Sequence, residues 1–581
     1  MGGRFGRVWR AYRKRPWTTA LGFAAAVASP LVSLMVPSLV RRAVDVLAAG
    51  SGPGKALPYA LGIVGIAAIS GFLMFAQRML LVGISRHLEH ELRTEAFAHL
   101  LQLPASWFSS QRVGDLLTRL SSDVGAVRMA MGPALMYVAS TSTILVTAVA
   151  LMLRIDPWLT LASLSMAPAV ALTTKFFGSG IYRRWNAAQE ELSRFTARLQ
   201  EHLVGLRVLR AFACEEHEKK AFSELNMRYF RASQRLVRVQ ALFYPLLQFL
   251  IGLGFVVVLG LGGYKVVVKQ LSLGQFVEFN LYLARLIWPM IAVGWVANLW
   301  QRGSASMARL EELFRIPPEV PLVAASEGTS KTSGPLPLEF RNVSFAYPGA
   351  QRPALQGVNL RVPPGARVVI VGEVGSGKST LLQLVPRLLN PPPGTVLVGG
   401  RDVLLWELDT LRQTVVLVPQ TAFLFSATLR ENVAMGRPDA SEEAIWEAIH
   451  AAGLAPDVAA LPRGLDTVVG ERGVTLSGGQ RQRVALARAL LCKPAVLLLD
   501  DCLSAVDRST EAAILQRLPR ATVLFATHRV SVAKTADWVV ILEQGQVVEE
   551  GAPEELAAEG QRWGELLALE ELEEERVEAS W

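Results

Sequence analysis

The stretch Gly372-Glu373-Val374-Gly375-Ser376-Gly377-Lys378-Ser379-Thr380 constrains this chain more than any other, because it fits G-x-x-x-x-G-K-[ST], the pattern of a phosphate-binding loop. Val368-Val369-Ile370-Val371 before it is β-branched and apolar, as a buried parallel strand should be. Leu381 to Val385 after it reads as the start of a helix. Strand, glycine-rich turn and helix N-terminus together make an anion site, in which backbone N–H groups close around phosphate oxygens and the helix dipole adds positive charge. Lys378 is placed to reach the β- and γ-phosphates and the Ser379 hydroxyl to hold Mg²⁺.

The loop lies in only one half of the chain. At 581 residues more than one domain is expected, and the apolar residues, 51% of the total, are unevenly spread. Residues 17–300 carry long apolar runs, whereas 337–560 read as an ordinary soluble α/β domain. Six spans of near-bilayer length can be placed at about 17–40, 58–83, 131–153, 157–177, 241–262 and 273–297. A soluble helical bundle would not carry so many such runs. The connections after the second and fourth spans, roughly 84–130 and 178–240, are long, Arg-rich and helical in period. The positive-inside rule puts both of them, the basic N-terminus and the soluble half on the cytoplasmic side. The N-terminal run is too long for a signal-peptide core and reads as a retained first span with a basic flank. A net charge of +9 is explained by these flanks, so no nucleic-acid partner is expected.

Charge inside a span is costly and so informative. Glu278 and Arg285 lie seven residues apart in the sixth span, on one helix face by spacing. Two readings stay open: a polar translocation cavity, or ion pairing within the bundle. Gln77, Arg78 and Gln248 are weaker cavity candidates. A polar Pro/Gly/Ser-rich linker at 317–336 divides the halves, and an acidic helix is expected at 561–581. Cys214, Cys492 and Cys502 have no metal-ligand spacing and read as reduced thiols.

Downstream, Ala495 to Asp501 is an apolar strand ending in two carboxylates, the Walker B arrangement in which Asp500 holds the Mg²⁺ shell. Between the two motifs, Leu476-Ser477-Gly478-Gly479-Gln480 opens a helix and offers a second phosphate-suited turn. One nucleotide does not need two such turns, so the second is expected to serve a nucleotide held by another subunit.

Taken together, the chain from about residue 15 to 555 resembles an ABC exporter half-transporter of the six-span, multidrug-like kind. The resemblance implies an all-α transmembrane domain over 1–316 followed by an α/β P-loop nucleotide-binding domain, with ATP and Mg²⁺ as cofactors. It implies that Tyr347 stacks on adenine, that Gln420 is the Q-loop glutamine reading the γ-phosphate and Mg²⁺, and that His528 is the switch histidine. Gly470-Glu471-Arg472-Gly473 resembles the exporter X-loop, and Ser504-Ala505-Val506-Asp507 the D-loop. Gly114-Asp115 and Phe212 fall in the turns that form coupling helices in such proteins.

One position departs from the pattern. The family usually has glutamate after the Walker B aspartate, as the base that polarises the attacking water, and this chain has Asp501. An intact LSGGQ beside a shortened base is what the degenerate-site subunit of a heterodimeric exporter should carry. The expectation is therefore a bacterial inner-membrane protein that pairs with a second ABC half-transporter and moves amphipathic drugs, lipids or peptides outward. A homodimeric lipid flippase of the same architecture is the alternative; a soluble ABC ATPase is disfavoured by the spans. A cargo-processing exporter is disfavoured because no peptidase domain is read ahead of the first span.

Overall fold

The computed structural model describes residues 6–50, 52–318, 334–470, 473, 475–559 and 562–568. Most of the linker, Glu471 of the X-loop and the acidic tail beyond 568 lie outside the described residues. The chain divides into two compact units, 1–102 with 112–316, and 103–111 with 317–581.

In the first unit the described residues form six helical spans: Pro16–Ala48, Pro53–Leu101, Val113–Ile155, Pro157–Val204, Glu215–Val267 and Leu273–Arg315. The helix Leu273–Arg315 is 43 residues long, about 65 Å at ~1.5 Å per residue, roughly twice a hydrocarbon core. The apolar windows mark only the membrane-depth part of each helix, which is why the connections at 84–130 and 178–240 keep helical periodicity. Pro245 and Pro289 sit inside continuous helices. Among the described residues, four π-helical turns, at Arg78–Val82, Arg119–Asp123, Ala130–Ala134 and Val258–Gly262, interrupt the α-helical ladder. The basic N-terminus is not only a flank: Gly6–Arg13 is a helix whose Val8, Ala11 and Tyr12 pack against Leu88, Leu92, Val127 and Leu310. Arg7 pins it at 2.9 Å from Glu95 and 2.8 Å from Glu311. The spacing by three (Val8, Ala11) is the amphipathic signal that the run of arginines obscures.

The second unit carries two sheets. β1 (Leu338–Phe345), β2 (Leu355–Val362), β4 (Val396–Val398) and β5 (Arg401–Asp402) form an antiparallel sheet in the order β2-β1-β4-β5. β3 (Arg367–Val371), β6 (Val415–Val418), β7 (Val496–Asp500), β8 (Thr522–Thr527), β9 (Trp538–Glu543) and β10 (Gln546–Gly551) form the order β10-β9-β3-β8-β7-β6. All pairs of this sheet are parallel except β9–β10. Its central strands are buried on both faces: Val368, Ile370, Leu498 and Leu524 enter one core and Val369, Leu497, Leu499 and Phe525 the other. That is the reason these strands read as unbroken apolar runs rather than alternating ones. Ligand-facing loops gather beyond the carboxyl ends of such strands. β3, β7 and β8 end at Val371, Asp500 and Thr527, immediately before the residues singled out above.

Candidate nucleotide site

The phosphate-binding loop runs from β3 into the helix Lys378–Leu384. Gly377 caps that helix with φ of +105°, and a Cβ there would stand 2.6 Å from the Ala354 carbonyl oxygen, so only glycine fits. The Lys378 ammonium donates to the carbonyl oxygens of Gly372 at 2.6 Å and Glu373 at 2.8 Å, and more weakly to Ser376 Oγ at 3.4 Å. Burial pushes this ammonium below the usual lysine range, with Asp501, Asp500 and Glu373 pulling the other way. An anionic ligand would favour the charged form further.

The two aspartates at the end of β7 diverge. Ser379 Oγ donates to Asp500 Oδ1 at 2.9 Å. Burial raises the Asp500 carboxyl above its ordinary value, opposed by the Ser379 hydrogen bond and reinforced by Asp501. Asp501 adopts a left-handed backbone, φ +44°, a conformation that costs a non-glycine residue about 1 kcal/mol. Its N–H donates to the Ala526 carbonyl at 2.7 Å, which holds the turn in place. Its carboxylate meets three neighbours: Oδ1 is 3.2 Å from His528 Nδ1 and accepts from Thr527 Oγ1 at 3.4 Å, and Oδ2 accepts from Gln420 Nε2 at 3.3 Å. Residues 108 positions apart along the chain, Gln420 to His528, thus meet on one carboxylate.

The donors fit Mg²⁺ carried by a nucleotide. Ser379 Oγ and the Asp500 carboxylate are already adjacent, and Gln420 reaches the same cluster through Asp501. Among the described residues no group of three His, Cys, Asp or Glu side chains is placed to hold a metal alone. An ion held by one carboxylate, one hydroxyl and phosphate oxygens is the usual arrangement for Mg²⁺. Tyr347 is partly exposed, edge-on to Phe345 at 5.3 Å, with its hydroxyl 3.1 Å from Thr380 Oγ1.

The LSGGQ turn opens the helix Gly478–Leu491. Ser477 and Gln480 form a capping box: Ser477 N donates to Gln480 Oε1 at 2.8 Å and Gln480 N to Ser477 Oγ at 3.3 Å. Gly479 approaches the D-loop so closely that a Cβ would stand 2.6 Å from the Ala505 carbonyl oxygen. Within one chain this turn is joined to Asp501 through the D-loop and through Gln482, which the sequence did not single out. Buried Gln482 donates to Ser504 Oγ at 3.0 Å and accepts from Ala505 N at 2.9 Å, and Ser504 Oγ donates to the Asp501 carbonyl at 3.0 Å. Arg529 donates to the Ser504 carbonyl at 2.6 Å and pairs with Glu511 at 3.0 Å. A polar residue at helical spacing from apolar Ala485, Leu486 and Ala489 was the one available signal for Gln482.

The candidates in the spans separate. Glu278 is buried inside the bundle, 3.3 Å from Arg41 and 3.2 Å from the Tyr282 hydroxyl. Gln77 is buried as well, whereas Arg78, Gln248 and Arg285 are exposed. The internal Glu278–Arg285 pair does not form. Of the expected coupling residues, Gly114 and Asp115 lie in the short helix Val113–Thr118, where Asp115 accepts from Arg119 at 2.8 Å. Phe212 is exposed just past the helix Leu206–Ala211.

The ABC transporter transmembrane region family matches residues 19–290, and the ABC transporter family matches residues 355–504. The chain is 33% identical over 561 residues to the probable multidrug resistance ABC transporter ATP-binding/permease protein YheI of Bacillus subtilis (strain 168), covering 96% of this chain and 95% of that one. It is 34% identical over 571 residues to the multidrug resistance-like ATP-binding protein MdlA of Escherichia coli (strain K12), covering 97% and 96%. Among solved structures, a bacterial Atm1-family ABC exporter with ATP bound matches with a TM-score of 0.78 at 26% identity, over 96% of this chain and 98% of that one.

Proposed function

Because the chain belongs to the ABC transporter family, a six-span membrane domain followed by an ATP-binding domain with the exporter fold, we propose that it is the degenerate-site subunit of a heterodimeric exporter. It is an integral membrane protein and an ATP-hydrolysing transporter. The heterodimer and the inequality of its two sites are the new elements, and one observation carries them: Asp501 stands where the family has glutamate, beside an intact LSGGQ.

In this reading the loop N–H groups and Lys378 bind the ATP phosphates, and Tyr347 stacks on the adenine. Mg²⁺ bound with ATP neutralises phosphate charge; Ser379, Asp500 and Gln420 are the residues that would hold it. Asp501 and His528 face the γ-phosphate end. A general base must lie within hydrogen-bond reach of the water it activates. The aspartate side chain is one methylene short, and its carboxylate is already engaged by His528, Thr527 and Gln420. A misplacement of ~1 Å costs about 10²-fold in rate. The chain's own site therefore binds ATP and turns it over slowly. Ser477 and Gly479, by contrast, are intact to complete the phosphate shell of the partner's nucleotide. ATP binding would close the paired ATP-binding domains, and Gly114, Asp115, Phe212 and Glu471 would carry that change to the spans.

The Arg-rich flanks support a bacterial inner membrane with the N-terminus and ATP-binding domain in the cytoplasm. The multidrug names of the relatives support amphipathic solutes as cargo. The test is expression of this chain alone and together with a second half-transporter carrying the usual glutamate. The chain alone is expected to hydrolyse ATP about 100-fold more slowly than the pair. Full ATPase and transport by the chain alone would replace the heterodimer with a homodimeric lipid flippase.

A further inference from the structure

The apolar cores of the six spans hold four charged side chains: Arg78, Lys175, Glu278 and Arg285. The single anion is neutralised inside the bundle, since buried Glu278 meets Arg41 at 3.3 Å and the Tyr282 hydroxyl at 3.2 Å. The three cations are all exposed, and none of them takes a hydrogen bond or ion pair among the described residues. Among the described residues, the exposed surface of these apolar cores therefore carries unmatched positive charge and no unmatched negative charge.

The three are not equivalent. Arg78 and Lys175 lie near the ends of their apolar runs, where a long side chain can snorkel to the membrane surface. Arg285 lies twelve residues from each end of the 273–297 run, about 18 Å from either side at ~1.5 Å per residue. Its side chain cannot span that distance, so its face of the helix meets water or a polar partner rather than lipid tails. Around it on that face are exposed Leu281 and Trp288, four residues before it and three after. One guanidinium set among apolar and aromatic side chains matches a molecule with an apolar body and a single anionic group. A guanidinium fork bonds carboxylate, sulfonate or phosphate oxygens two at a time.

We propose that this face of the sixth span, with Arg285 as its anchor, is a binding site for amphipathic organic anions on the export path. The proposal rests on the exporter reading above and adds the charge of the cargo to it.

The experiment uses the transporter with its partner subunit in inverted vesicles and two probes sharing one aromatic body, pyrenesulfonate and pyrenyltrimethylammonium. The wild type is expected to move the sulfonate in preference to the ammonium. R285Q should raise the half-saturating concentration for the sulfonate about tenfold and that for the ammonium less than twofold, with R285K recovering most of the loss. Adding fluorescent phosphatidylglycerol against phosphatidylcholine identifies the source of the anion: Arg285-dependent movement of the first assigns a lipid headgroup, and of the sulfonate alone a soluble solute. A wild-type preference for the ammonium, or an equal effect of R285Q on both probes, would overturn the anion site while leaving the exporter reading intact. ATP-independent behaviour of every probe would overturn the exporter reading itself. A static ion pair between Arg285 and a carboxylate of the partner subunit, seen in a structure of the pair, would likewise overturn the site.

Discussion

The Asp501 carboxylate lies 3.2 Å from Nδ1 of His528, so the two residues proposed as shortened base and switch histidine are in contact with each other. Gln420 and Thr527 are also on that carboxylate, so three protein neighbours compete with a water for it. If the site is slow for this reason, Asp501→Ala should lower total ATPase of the heterodimer by less than about one fifth. Replacing the partner's glutamate should lower it by about 100-fold. Steady-state phosphate release from the two variants checks this, and a loss of half or more with Asp501→Ala would mean that both sites turn over.

Ser477 has two separable roles. Its hydroxyl caps the helix Gly478–Leu491 by accepting from Gln480 N at 3.3 Å, a contact worth about 1 kcal/mol. In the proposed pair it also faces the partner's ATP. Asparagine preserves a cap but not the hydroxyl, so Ser477→Asn and Ser477→Ala should both cut turnover at least tenfold. Full turnover in the asparagine variant alone would reduce Ser477 to a cap.

Much of this was legible because it is local. The phosphate loop, the capping box of LSGGQ and the strand ending in Asp500 are each contiguous, and each declares its geometry through glycine, serine and β-branched residues at fixed offsets. The spans were legible as apolar length. What was hidden are pairings between distant segments. Glu278 and Arg285 share a helix face by spacing, yet one is buried and one exposed, because Arg41 lies 237 positions away from Glu278 and decides which side is inside. Spacing along one helix cannot show what the neighbouring helix contributes.

Asp123 is a second case. It is buried where the helices Val113–Ile155 and Leu273–Arg315 meet, bonded bidentately by Arg309 and by Ser306 Oγ at 2.9 Å. Arg309 itself is half exposed, which places the pair between surface and buried ion pairs. Asp123→Ala should therefore destabilise the membrane domain by about 2 kcal/mol. The double variant Asp123→Leu with Arg309→Met should recover most of that loss. Thermal unfolding of the detergent-solubilised complex distinguishes this from a neutral surface contact, for which neither variant would shift the midpoint.

Glu89 gives the fold a pH dependence. Burial alone would raise its carboxyl, but Arg86 at 3.0 Å, Arg93 at 2.8 Å and Arg128 at 3.2 Å outweigh that and hold it below the ordinary glutamate value. A carboxyl depressed in the folded state contributes stability that is present above its unfolded value of 4.5 and is lost as pH falls through the folded value. The melting midpoint should thus drop more steeply below about pH 4.5 in the wild type than in Glu89→Gln. Parallel curves for the two would show that the arginine cluster carries no such linkage.

The most direct measurement of the central claim is which nucleotide stays in each site. The heterodimer is incubated with ATP and Mg²⁺ until turnover is steady, freed of unbound nucleotide, and read by site-resolved structure determination or by photolabelling of each subunit. The site built on Lys378, Ser379, Asp500 and Asp501 is expected to retain intact ATP while the partner's site holds ADP. ADP found equally in both sites would contradict the account.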